Sequence, residues 1–238
     1  MNLLAFDTST ETLSVAVGAG AAVLEHVEAG GPKASARLIP VIEDLLARSG
    51  LTLAGLDAIA FGRGPGSFTG LRTAAAVAQG LGFGSGVAVL PVDTLLAVAE
   101  EAHHRSGATR IVAMLDARMG EVYHAAYERN GADWRTCSMP ALARPQEVQI
   151  PTGWTLAGNV LEVLAGRLPP AAQYVAALPA AAALLRLAPA GLSGQAAHPA
   201  AQALPLYIRD KVAQTTEERA ADRARKESRH ASDAAEPT

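Results

Sequence analysis

The chain has one cysteine, Cys137, so no disulfide can close within it, and without a Cys-x-x-Cys pair it lacks the thiolate set that zinc or dithiol chemistry needs. A basic surplus is missing too. The formal net charge is −3, which argues against a strong general affinity for nucleic acid, although a local basic patch stays open. No apolar span is long enough to cross a membrane without a Gly or Pro interruption; the Ala-rich region after Pro169 comes nearest. The opening run MNLLAFDTST is short and broken at Asp7, which does not fit a signal peptide, so a cytoplasmic location is expected. What remains is a globular composition, 50% apolar and 18% charged over 238 residues, enough for one domain or two small ones.

Two phosphate-binding templates are also lacking where they would be most natural. The stretch Phe61 to Gly84, FGRGPGSFTGLRTAAAVAQGLGFG, leaves an apolar segment, crosses a Gly/Pro/Ser loop and enters an Ala/Gly-rich helix. It has no Gly-Lys for a Walker A loop, and the sixth position of a dinucleotide fingerprint beginning at Gly62 is Ser67 rather than glycine. The loop therefore reads as a rigid turn, with anion binding at the following helix start as the functional alternative. Thr69 is the expected N-cap. Within the helix, Gly70, Ala74, Ala78 and Gly82 recur every fourth residue, a face so smooth that a second helix can approach closely. Gly80 and Gly82 each cost up to about 1 kcal/mol in a helix interior, so they call for a packing reason.

Taken in order, Asn2 to Phe6, the alternating Leu13, Val15, Val17, and Ala21 to Val27 predict three strands joined by turns. A helix is expected from Ser35 to Arg48, with Leu38, Val41, Ile42 and Leu45 on one face and Pro40 awkwardly inside. Strands follow at Ala58 to Phe61 and Val87 to Leu90, then a helix capped by Asp93 or Thr94. The pattern then restarts: Ile111 to Leu115, the turn after Asp116, Val122 to Tyr127 and Trp134 to Met139 repeat the three-strand opening, which suggests duplication. Later the signal decays, with a strand near Trp154 to Ala157, a helix expected over Tyr174 to Leu187, a short apolar element at Leu204 to Arg209, and a charged, Ala-rich stretch without an apolar face from Thr215 on, read as a frayed helix or a disordered tail.

Candidate chemistry is sparse. Asp7 and Asp116 end equivalent strands and could jointly hold a metal and phosphate, or each could cap its own turn. His103 and His104 would point about 100° apart on a helix, poor geometry for a metal. Ser67 is followed by Phe68 and Thr69, which excludes a G-x-S-x-G elbow. Arg63, Arg72, Arg118 and Glu121 read as solvated surface or as partner contacts.

The runs FDTSTETLSVAV, FGRGPGSFTGLRTAAAVAQGLG, DARMGEVY and LPLYIRDKVA together resemble the bacterial TsaB family, the non-catalytic partner in making threonylcarbamoyladenosine at position 37 of tRNA. The resemblance implies an α/β fold of the actin/Hsp70/sugar-kinase-like (ASKHA) kind, with two duplicated RNase-H-like subdomains, the second degenerate. The expected division is residues 1–105, 106–212 and a tail over 213–238. It implies a heterodimer with the catalytic TsaD, a ternary assembly with the TsaE ATPase, a homodimer when alone, and tRNA met only indirectly. The catalytic sister carries a metal-binding His-x-x-x-His where this chain has Thr94 and Val98, so no catalytic residue, cofactor or metal ligand is expected here. The family's interface uses helices that here would be Ser35 to Arg48 and Thr69 to Phe83, which nominates Leu38, Ile42, Leu45, Gly70, Ala74, Ala78 and Gly82 as subunit contacts. Bulk at Ala78 or Gly82 is then expected to block association and leave the monomer folded. A nucleotide-binding ATPase or phosphotransferase using Asp7 and Asp116 is the alternative reading.

Overall fold

The computed structural model describes residues 1–164, 166–194 and 197–209. The opening apolar runs form a meander of β1 (Asn2–Asp7), β2 (Thr12–Ala19) and β3 (Ala22–Ala29). Helix α1 (Ala34–Ser49) leads to β4 (Ala58–Gly64), α2 (Phe68–Ser85) to β5 (Val89–Asp93), and α3 (Thr94–Ser106) leaves the sheet. The strand order is β3-β2-β1-β4-β5, antiparallel through the meander and parallel from β1 to β5. Residues Leu3 to Phe6 in β1 are buried on both faces, as a central strand covered by helices on both sides requires.

The second half repeats the plan. Strands β6 (Arg110–Arg118), β7 (Glu121–Asn130) and β8 (Asp133–Ala143) form a meander, and β9 (Thr155–Gly158) and β10 (Gln173–Ala176) add parallel strands in the order β10-β9-β6-β7-β8. Its helices have shrunk: α4 (Val160–Val163) stands where the first half has the 18-residue α2, and a 3-10 turn at Pro145–Glu147 stands where it has α1. The closing helix is α5 (Ala181–Ser193). The two halves exchange their last helices. Leu95, Val98 and Ala99 of α3 pack with Ile111, Ala113 and Tyr127 of the second sheet. Ala181, Leu184 and Leu185 of α5 pack with Leu3, Ala5 and Ala16 of the first.

Local expectations needed some correction. The helix expected over Tyr174 to Leu187 is split: Gln173–Ala176 pairs with β9 as a strand, and only Ala181–Ser193 is helical. Alanine propensity was outweighed there by the open edge of β9, and Pro179 breaks the run between the two elements. The helix expected to be capped by Thr69 starts at Phe68, because Ser67 O accepts the first amide, that of Leu71, at 2.9 Å. Pro40 lies inside α1 without ending it, on the helix's exposed side. The charged stretch after Thr215 lies outside the described residues. No helix among the described residues is long and apolar enough to cross a membrane.

Candidate functional site

The Gly/Pro loop after β4 is folded down onto the turn between β1 and β2. Asp7, Thr8 and Ser9 of that turn are all buried. Ser67 N–H donates to Ser9 O at 2.7 Å, and the Thr8 hydroxyl donates to Gly70 O at 2.8 Å. Contact is so close that three glycines are obligatory. A Cβ at Gly62 would fall on the Asp7 carboxylate, one at Gly66 on Ser9 O, and one at Gly70 on Thr8 O. Two more amides here are used internally: Gly64 N–H donates to Thr94 Oγ1 at 3.1 Å and Ser9 N–H to Asp7 Oδ1 at 2.8 Å.

The late LPLYIR element, which has no regular secondary structure, straps this loop from outside. Leu206 N–H donates to Arg63 O at 2.7 Å, and Leu206 O lies 2.6 Å from where a Gly64 Cβ would sit. Beside it the Tyr207 ring is 5.3 Å from that of Phe68, and the Arg72 guanidinium stacks 3.7 Å over Phe68 while its Nε donates to Tyr207 Oη at 3.1 Å. The arginines flagged in the sequence thus have internal partners: Arg63 pairs with Asp93 at 2.6 Å, and Arg118 pairs with Glu11 and Asp116.

Asp7 and Asp116 each accept hydrogen bonds from their own turn. Asp7 Oδ1 accepts from Ser9 N–H and, at 2.6 Å, from the Ser9 hydroxyl; Asp116 Oδ1 accepts from Arg118 N–H at 2.9 Å. Each carboxylate therefore caps its own turn. Among the described residues no group of three His, Cys, Asp or Glu side chains is placed to hold a metal. Thr94 and Val98 are both fully buried, Thr94 under the loop and Val98 in the core against the second sheet.

Burial pushes the Asp7 carboxyl up to about 6, against the hydrogen bonds from Ser9 and Thr94, which pull it down. A group whose folded pKa is raised contributes stability below its unfolded pKa and loses it as pH rises through the folded value. Relative to Asp7→Asn, the wild-type chain should lose about 3 kcal/mol between about pH 4 and 7.5, at roughly 1.36 kcal/mol per pKa unit. Urea denaturation of both proteins across that range measures it; a difference that does not vary with pH would show that the carboxyl is ordinary.

The residues nominated as subunit contacts have neighbours within the chain itself. Leu38, Ile42, Leu45, Gly70, Ala74, Ala78 and Gly82 are all buried within this chain. The smooth face of α2 already has its partners: Gly70 meets the Thr8 carbonyl, and a Cβ on Gly82 would stand 2.8 Å from Ala200 Cβ and 3.1 Å from Val87 O. Bulk at Ala78 or Gly82 would disrupt the monomer, contrary to the expectation, because regular spacing reveals a contact face without revealing whose surface covers it. The opposite face of α2 is the outward one. Thr69, Ala76, Gly80 and Phe83 are exposed and Thr73 half-buried along it. Among the described residues nothing lies within 4 Å of where a Gly80 Cβ would be.

Two sheets of one strand order, each opened by a meander and closed by the other half's last helix, define a duplicated α/β fold of the actin, Hsp70 and sugar-kinase class. A family model described as TsaD, tRNA N6-adenosine threonylcarbamoyltransferase, matches residues 28–233. The chain is similar to the tRNA threonylcarbamoyladenosine biosynthesis protein TsaB of Escherichia coli, 40% identical over 67% of this chain and 71% of the relative. It is also similar to that of Haemophilus influenzae, 35% identical over 89% of this chain and 95% of the relative. Among solved structures, YeaZ from Pseudomonas aeruginosa superposes with a TM-score of 0.82 at 40% identity, covering 87% of this chain and 99% of that one. The chain belongs to the TsaB family.

Proposed function

We propose that this chain is the non-catalytic dimerisation and scaffold subunit with which a TsaD partner transfers threonylcarbamoyl to adenosine 37 of tRNA, a TsaE ATPase completing the assembly. The relatives' shared description as tRNA threonylcarbamoyladenosine biosynthesis proteins supports the pathway. Support for a role without catalysis comes from the loop packed onto its neighbouring turn and from a threonine and a valine, both buried, at the positions of the sister's histidines. The alternative nucleotide-using enzyme would need Asp7 and Asp116 free, and both are committed to their own turns.

The observation that carries the scaffold reading is Gly80. An exposed glycine in a helix interior costs about 1 kcal/mol relative to alanine, and among the described residues none stands within 4 Å of where a Gly80 Cβ would be to justify it. Its reason is a second subunit. Helices α1 and α2 then meet TsaD, or a second copy when alone, through their outward residues, with Thr73, Ala76 and Gly80 allowing close approach and the exposed Phe83 and Ile39 supplying apolar area. The inward residues Leu38, Ile42, Leu45, Ala74 and Ala78 hold the two helices in place.

The test is light scattering of the purified chain mixed with TsaD, beside a transfer assay that includes TsaE. A heterodimer should form, and transfer should require this chain. Gly80→Arg should weaken association at least about tenfold while the isolated chain melts within about 2 °C of wild type. A chain that stays monomeric beside TsaD, transfers the group alone, or binds equally well as Gly80→Arg would overturn the proposal.

A further inference from the structure

Helix α2 has one charged residue among its 18, Arg72, and that side chain is held in place although it is exposed. Its guanidinium lies 3.7 Å over the Phe68 ring, and its Nε donates to Tyr207 Oη at 3.1 Å. The two rings stand 5.3 Å apart, tilted by 35°, so the guanidinium has an aromatic floor and a phenol oxygen at its Nε. Tyr207 is fixed in turn by its neighbours. Leu206 N–H donates to Arg63 O at 2.7 Å, and Ile208 packs against the core around Leu95 and Tyr127. The loop after β4, the first turns of α2 and the closing LPLYIR strap thus combine to place one side chain.

What is held in place is not neutralised. Arg63 and Arg118 have carboxylates for partners, whereas Arg72 has none among the described residues, its partners being the Phe68 ring and the Tyr207 hydroxyl. Those contacts use Nε and one face of the guanidinium, and neither Nη1 nor Nη2 has a hydrogen-bond partner among the described residues. Nor does the helix favour a cation there. Positive charge is stabilised near a helix C-terminus, and Arg72 is the fifth residue from the other end of α2. Immobilising a long side chain is one of the costs of binding, and at Arg72 folding has already met it.

We propose that Arg72 is a preorganised anchor for a carboxylate of the partner subunit, its Nη1 and Nη2 receiving an Asp or Glu side chain as α2 meets TsaD. Phe68 and Tyr207 are positioning residues that act through it. Arg72 stands one turn before Ala76, on the flank of the outward stripe Thr69, Thr73, Ala76 and Gly80, so an acidic side chain on a helix that approaches over those small residues can reach it. Two parallel N–H donors suit a carboxylate, and arginine and tyrosine are the residue types that dominate interface energies. Phosphate would satisfy the same nitrogens. A carboxylate is favoured because the chain has a net charge of −3 and Arg72 is the lone charge on its helix, where nucleic acid needs a basic surface. This role of Arg72 rests on the outward face of α2 being the subunit surface.

Surface plasmon resonance of the full chain and its variants on immobilised TsaD tests this. Arg72→Glu should weaken association at least about thirtyfold, and Arg72→Lys about tenfold, because an ammonium lacks the planar fork. Tyr207→Phe keeps the ring and removes the oxygen. It should weaken association about threefold in the wild-type background and leave it unchanged in an Arg72→Ala background, whereas a packing role of its own would give the same factor in both. Arg167→Glu, an equal charge change on an exposed residue of the second half, should alter nothing. Each variant should melt within about 3 °C of wild type, since these side chains are exposed. Gly80→Arg separates the anchor from the surface it flanks. If Gly80→Arg weakens association and Arg72→Glu does not, the surface stands and the anchor is overturned; if Gly80→Arg binds as wild type does, the surface fails and the anchor with it. Full affinity of Arg72→Lys, or equal effects of Tyr207→Phe in both backgrounds, would also overturn the proposal. So would Arg72→Ala with unchanged affinity for TsaD and weaker binding of tRNA by the assembled complex, because the anion would then be a phosphate.

Discussion

Gly70→Ala is expected to cost this chain more stability than any other single methyl group added to α2. Its Cβ would overlap the Thr8 carbonyl oxygen, which is backbone and cannot rotate away, and the same residue's carbonyl accepts the Thr8 hydroxyl at 2.8 Å. Relief requires prising the helix start off the β1–β2 turn, which also disturbs the Ser67–Ser9 hydrogen bond. The loss should be about 3 kcal/mol or more, the upper range for overpacking, and a fall in Tm of roughly 6–12 °C for a chain of this size. Gly80→Ala, the same change ten residues along the same helix, should instead be neutral or raise stability by up to about 1 kcal/mol, because no described residue would crowd the new methyl group and alanine is the better helix former. Urea denaturation of the two variants compares them directly. If Gly70→Ala were as stable as wild type, the inward face of α2 would not be packed against its own chain.

The second large effect concerns the ion cluster between the exchanged helices. Glu100, on α3, is buried and accepts from Arg129 at 2.6 Å, Trp134 Nε1 at 2.8 Å and Arg186 at 2.9 Å. Its neighbour Glu101 accepts from Arg105 at 2.7 Å and from Arg186 at 2.6 Å. The cluster ties α3 to β7, β8 and α5 at one point. Removing the central carboxylate takes the acceptor of the Trp134 N–H and one acceptor each from Arg129 and Arg186, which keep Gly131 O and Glu101; breaking a fully buried pair costs about 3–5 kcal/mol. Arg129 and Arg186 retain 20% and 30% side-chain exposure, so Glu100→Ala should fall near the lower end, about 3 kcal/mol. Asp44→Ala, which breaks the exposed Arg48 pair on α1, should change stability by less than about 0.5 kcal/mol. Hydrogen exchange should show α3 and α5 losing protection together in Glu100→Ala; loosening of α3 alone would mean that the cluster does not join them.

Where the sequence was read correctly, the physics was local. Alternation and apolar runs placed both meanders, and the restart of the three-strand pattern at Ile111 exposed the duplication. The motifs FDTSTETLSVAV and GRGPGSFTGLR were legible as family marks, but their purpose was not. The glycines of the loop serve close approach to Asp7, Thr8 and Ser9, more than fifty residues away in the chain, and no spacing rule encodes that distance. The Glu100 cluster was missed for the same reason, since its partners Arg129, Trp134 and Arg186 are remote in sequence and each alone looks like surface charge or an ordinary aromatic residue.

The sequence by itself determined the order of strands and helices through the second meander, the doubling of the unit and membership of a family, because these follow from periodicity, turn chemistry and motif identity. Only the tertiary structure decided which side of each helix is free. The repeat of Gly70, Ala74, Ala78 and Gly82 marks a surface of close contact, yet a chain's own sheet and a second subunit demand the same small side chains. Placing Thr8 and Ala200 against that face leaves Gly80, on the opposite side, with open space among the described residues where a side chain would stand.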